Sequence, residues 1–155
     1  MFFKCETFEQ IEQPVLTIRT TTSVSELPSL IGSAYEQVMA HLSSLGQQPA
    51  GDPFVIYYNM DMQALDVEMG YPVKSSLPGS GDVQLSHLPA GPMAACLYTG
   101  PYADCAPAYE ALTTWVVDNG YETTGVSVEY YLNSPAQTPP EQLQTRIVFP
   151  LQKPA

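Results

Sequence analysis

The residues best suited to chemistry lie in one stretch, Val126-Ser127-Val128-Glu129-Tyr130-Tyr131-Leu132-Asn133-Ser134-Pro135. Its β-branched and aromatic side chains, closed by Asn-Ser-Pro, predict a strand. Alternation puts Val126, Val128, Tyr130 and Leu132 on one face, and Ser127, Glu129, Tyr131 and Asn133 on the other. Glu129 then has two possible fates. It is either a solvated strand glutamate, the commoner case, or a carboxylate at the base of an apolar cleft. In a cleft it loses water and holds its proton more tightly, and an entering cation restores the charged form. Tyr131 beside it favours the cleft, since a cation over an aromatic ring gains about 0.5–2 kcal/mol.

Other candidates are weaker. Glu68 shares a strand face with Asp66 and Gly70, and a solvated face is the expectation for it. Cys5, Cys96 and Cys105 are odd in number and lack metal-type spacing, which suggests free thiols in a reducing compartment. Cys105 lies near a predicted helix start, where a thiol pKa can fall, but no base accompanies it, so a structural thiol is expected. His41 and His87 stand apart from each other and from the cysteines. No metal site, cofactor motif or nucleophile–base pair is expected, and no catalytic residue is assigned.

Charge narrows the classes of partner. The 155 residues carry 5 Lys+Arg against 16 Asp+Glu, a formal net charge of −11. Phosphate recognition needs clustered cations, so nucleic acid is excluded as a direct partner, and anionic membrane surfaces are disfavoured. The N-terminal Met-Phe-Phe-Lys-Cys lacks the pattern of a secretory leader, and no apolar run is long enough to span a bilayer. A soluble cytoplasmic protein is the expectation.

The remaining elements follow from pattern. Strands are predicted over 2–12, 15–22, 54–60, 65–73, 83–88, 93–99 and 143–151. Apolar residues at three- and four-residue steps predict a helix from Leu27 to Leu45, capped by Ser25 and stopped by Gly46. A second helix, capped by Asp104, carries Ala108, Tyr109, Leu112, Trp115 and Val116 and stops at Asn119-Gly120. The two halves resemble each other. Ala34-Tyr35-Glu36 matches Ala108-Tyr109-Glu110, and Gly46 matches Gly120, 74 residues apart. Ile56-Tyr57-Tyr58 matches Glu129-Tyr130-Tyr131 at 73, and Gly70–Val73 matches Val148–Leu151 at 78. The expectation is one α+β domain over 1–155, a duplicated β-α-β-β unit with pseudo-repeats at about 1–74 and 82–155 and a Ser/Pro/Gly linker at 75–81. Its antiparallel sheet is expected to curve, with two helices outside and a central ligand pocket. Apolar side chains of the opening strand would pack on the helices. Glu129 and Tyr131 would line the pocket, with Phe54, Ile56, Tyr58 and Met60 as the first-half counterpart. Ile56 would stand where the second half has Glu129. Trp115, more naturally core, could back the cleft.

Several stretches in this order resemble the GyrI-like small-molecule-binding domain: Asp66–Val73, Leu88-Pro89-Ala90-Gly91, Gly100-Pro101-Tyr102, Asn119-Gly120-Tyr121, Glu129–Pro135 and Ile147-Val148-Phe149-Pro150-Leu151. That family supplies the effector-binding module of AraC-type and multidrug-responsive MerR-type transcription regulators and also occurs in stand-alone form. The resemblance implies a non-catalytic module that binds amphipathic, cationic, drug-like molecules, with Glu129 as the acidic residue. The expected ligand-binding set is Glu129, Tyr131, Tyr58, Phe54, Ile56, Met60, Trp115 and Phe149. Relatives leave two alternatives open. One is a hydrolase of cyclopropane-containing DNA-alkylating natural products, and the other is a gyrase-inhibitor-like protein-interaction module with an unknown protein partner. The sequence departs from the regulators in having no helix-turn-helix segment.

Overall fold

The computed structural model describes residues 3–154. The elements in chain order are β1 (Cys5–Gln10), β2 (Gln13–Thr22), α1 (Leu27–Ser44), β3 (Phe54–Tyr57), β4 (Leu65–Pro72), β5 (Gln84–Leu88), β6 (Gly91–Thr99), α2 (Ala106–Asp118), β7 (Glu122–Thr123), β8 (Ser127–Tyr131) and β9 (Gln144–Gln152). The chain is α+β, and its strand pairs are antiparallel. It divides into two compact units: unit 1 is Met1–Gln10 with Gly91–Ala155, and unit 2 is Ile11–Ala90.

Unit 2 orders its strands β5-β2-β4-β3. Leu27, Ala34, Val38 and Leu42 form the buried stripe of α1 at helical spacing. The ring of Tyr35 lies 5.4 Å from that of Tyr71 in β4, which identifies the sheet face that α1 covers. In an antiparallel pair, residues directly opposite each other share a face. Tyr71, Met69 and Val67 therefore face α1 with their partners Leu16, Ile18 and Thr20 in β2 and with Val55 and Tyr57 in β3. Residues 75–81 form an exposed connection from β4 to β5 inside this unit.

Unit 1 orders its strands β1-β6-β9-β8, with β7 on β9. Ala108, Leu112 and Val116 of α2 pack on Ala94, Cys96, Tyr98, Ile147, Phe149 and Leu151. Fully burying a side chain of Leu or Ile size contributes about 1.5–3 kcal/mol, so this layer fixes α2 on the sheet. Both helices end on a glycine in the left-handed region, Gly46 at φ 68° and Gly120 at φ 80°, where a Cβ would be strained.

Several expected boundaries move. Ser25 does not cap α1: its hydroxyl meets that of Ser23 at 3.1 Å, and Glu26 holds the cap position without a side-chain bond. Asp104 sits in a 3-10 turn (Tyr102–Asp104), leaving Cys105 to start α2. The strand expected over 126–135 spans only Ser127–Tyr131; past its C-terminal end Asn133 turns its amide onto Gln142 and Gln144. For the first predicted strand, Phe2 lies outside the described residues.

Candidate functional site

β8 lies against β9 with Glu129 opposite Ile147 and Tyr131 opposite Thr145. Ile147 belongs to the layer under α2, so Glu129 and Tyr131 point to the helix side of their sheet. Val128 and Tyr130, expected on the helix side, therefore face away from α2. Alternation separates the two faces of a strand but does not say which one a helix will cover.

On that side the Glu129 carboxylate is held by two phenols. Tyr131 donates to Oε1 at 2.9 Å from two residues along the same strand. Tyr109 of α2 donates to Oε2. The Tyr109 ring packs 5.7 Å from Phe149, and the Tyr131 ring meets Tyr102 edge-on at 5.5 Å. Burial pushes the Glu129 pKa up, and the two phenol hydrogen bonds only partly offset this. Its charge is felt nearby. The Tyr102 phenol is raised by burial and then by Glu129, and so is the Cys105 thiol. The lowered thiol pKa considered for Cys105 is therefore reversed, because burial and the Glu129 and Asp104 carboxylates outweigh its place at a helix start. Among the described residues, Glu129 has no cationic partner: the ion pairs are Arg19–Asp66 and Arg146–Glu6.

Unit 2 holds a more deeply buried carboxylate than the part-buried Glu129, on the opposite kind of face, the one α1 does not cover. Glu68 is 4% exposed, which overturns the expectation of a solvated side chain. Thr17 donates to its Oε2 and Tyr58 to its Oε1, each at 2.6 Å. Arg19 lies 3.9 Å above the Tyr58 ring and forks onto Asp66 at 2.9 and 3.1 Å. Burial and the bond to Glu68 push the Tyr58 phenol up, while Arg19 holds the Asp66 carboxyl below its usual range. This cluster carries its own cation.

The expected site residues fall in both units. Glu129, Tyr131 and Phe149 share the α2 side of unit 1. Trp115 also packs on that core, but it lies about 120° around the helix from Tyr109. Its indole N–H is buried and unpaired among the described residues. Phe54 and Ile56 are buried with Tyr58 on the face of unit 2 that α1 leaves uncovered, and Met60 is 68% exposed. Tyr109 and Tyr102, which are not in the expected set, stand beside Glu129 and Tyr131. Tyr109 had a legible signal: it flanks the apolar stripe of α2 inside the repeated Ala-Tyr-Glu. Among the described residues, no three His, Cys, Asp or Glu side chains converge to hold a metal. No described helix is long and apolar enough to cross a membrane.

Comparison with known proteins gives the same architecture. The chain resembles the EcmrR C-terminal domain at 24% identity and TM-score 0.81, over 99% of this chain and 100% of that one. It spans 58% of the EcmrR chain in a complex with DNA. A structure named as a hydrolase from Listeria innocua matches at 13% identity and TM-score 0.72, over 96% and 92% of the two chains. SAV2435 bound to tetraphenylphosphonium matches at 10% identity and TM-score 0.67, over 98% and 94%. No curated protein sequence matches. The profile of the GyrI-like small molecule binding domain matches residues 3–152, and the chain belongs to that family.

Proposed function

We propose that the chain binds amphipathic organic cations at Glu129, with Tyr131, Tyr109 and Tyr102 as the aromatic surround. One observation carries this reading. Glu129 is a desolvated carboxylate whose hydrogen-bond donors are two neutral phenols, with no cationic side chain paired to it among the described residues. Such a group gains most from a cation that brings its own apolar surface, because the ligand neutralises the charge without rehydrating it. Aromatic rings add cation–π attraction and tolerate different ligand shapes. The fold relative SAV2435 was solved with tetraphenylphosphonium, a cation of this class. The chemistry needs only binding.

Calorimetric titration with tetraphenylphosphonium tests the proposal. Glu129→Gln keeps the shape and removes the charge, and the expected loss is tenfold or more, about 1.4 kcal/mol. Native affinity is expected to rise with pH until Glu129 is fully ionised, then level off. Equal affinity for native and variant would overturn the assignment.

A further inference from the structure

Cys5 and Cys96 stand directly opposite each other in the β1–β6 pairing. Opposed residues of an antiparallel pair have Cα atoms about 4.5–5.5 Å apart, within the roughly 4.4–6.8 Å range that a disulfide spans. Both side chains point to the α2 side. Cys96 lies within the core layer and Cys5 packs against its edge. Cys5 directs its S–H to the Phe3 carbonyl at 3.9 Å, and Cys96 directs its own to the Ala108 carbonyl at 3.8 Å. Cys105, at the start of α2, has no cysteine opposite it in a strand pair.

We propose that Cys5 and Cys96 form a dithiol that closes to a cross-strand disulfide by exchange with a low-molecular-weight disulfide. Cys5, the less buried of the two, is the entry point. Its thiolate attacks one sulfur of the small disulfide, that S–S bond breaks, and one small thiol leaves. The Cys96 thiolate then attacks the Cys5 sulfur and expels the second small thiol. Two protein thiols are oxidised, one disulfide is reduced, and the two protons pass to the departing thiols. Burial pushes the Cys96 thiol up to about 12 and raises Cys5 as well, so the exchange is slow near neutrality and faster in base. Closure also removes the S–H that Cys96 directs to the Ala108 carbonyl at 3.8 Å. Ala108 precedes Tyr109, the α2 residue that donates to Glu129.

The test uses the native protein with oxidised glutathione at pH 8.5, followed by acid quenching and thiol counting after denaturation. The expected count falls from three to one. The mass is expected to drop by about 2 Da, and a non-reducing peptide map to join the Cys5 and Cys96 peptides. The melting temperature is expected to rise by roughly 5 °C as the cross-link restricts the unfolded chain. Three surviving thiols, a glutathione adduct that never resolves, or a link through Cys105 would each overturn the proposal. These readings do not depend on whether any cation binds.

Discussion

Tyr35 and Tyr109 hold the same place on their helices, and the two units use them differently. Each packs on an aromatic ring of the same strand position, Tyr71 in β4 and Phe149 in β9. Two residues before those rings come Met69 and Ile147, and opposite them stand Val55 and Glu129. Val55 is therefore the counterpart of Glu129, and Tyr57 that of Tyr131. In unit 2 the helix tyrosine spends its hydroxyl on the backbone carbonyl of Phe54, 3.1 Å away. In unit 1 the same hydroxyl is turned onto a carboxylate. At this strand position the α1 layer of unit 2 carries Val55 and the α2 layer of unit 1 carries a carboxylate. Unit 2 puts its own buried carboxylate, Glu68, on the other face, where Arg19 pairs with the neighbouring Asp66.

Building the difference into the wrong unit should have the largest effect. Val55 is fully buried, so Val55→Glu is expected to cost about 3–5 kcal/mol, read from the urea midpoint. A variant as stable as native would mean that unit 2 can also hold a carboxylate there. Next comes Glu68→Ala, which strips the acceptor from Thr17 and Tyr58 and is expected to cost roughly 2 kcal/mol. Tetraphenylphosphonium affinity should not change, and a parallel loss would make the two carboxylates one functional set. The smallest effect is on pH dependence. Because the folded state raises the Glu129 pKa, its contribution to stability is fully present below the unfolded value. It is lost as pH rises through the folded value. Thermal melts of native protein and Glu129→Gln from pH 3 to 8 should show the native advantage shrinking over that window. An advantage that grows with pH would show that the phenols favour the charged form outright.

The helices and most strands were legible because each rests on local pattern: the stripes at Ala34-Val38-Leu42 and Ala108-Leu112-Val116, the terminal glycines and the β-branched runs. The site was only half legible. Tyr130-Tyr131 aligns as well with Tyr57-Tyr58 as any neighbouring choice, and that identity match set Ile56 opposite Glu129. Ladder register sets Val55 there instead. A slip of one residue exchanges the faces of a strand, which is why Phe54, Ile56 and Tyr58 came to be grouped with Glu129. The burial of Glu68 was hidden for another reason. A glutamate beside Asp66 reads as solvated until Thr17 and Tyr58 are brought to it by strands distant in sequence.

Unit 1 is assembled from both sides of unit 2 in the chain. This matters for the order of synthesis. The strand Cys5–Gln10 is made before unit 2, yet its partner, Gly91–Thr99, is made only after every strand and the helix of that unit. During that interval β1 is an unpaired edge, open to the wrong partners. Its sequence, Cys-Glu-Thr-Phe-Glu-Gln, carries two acidic side chains and one large apolar one. In the finished fold Glu6 pairs with Arg146, and Phe8 lies under the same guanidinium. While the strand waits, the same two charges discourage it from pairing with another growing chain.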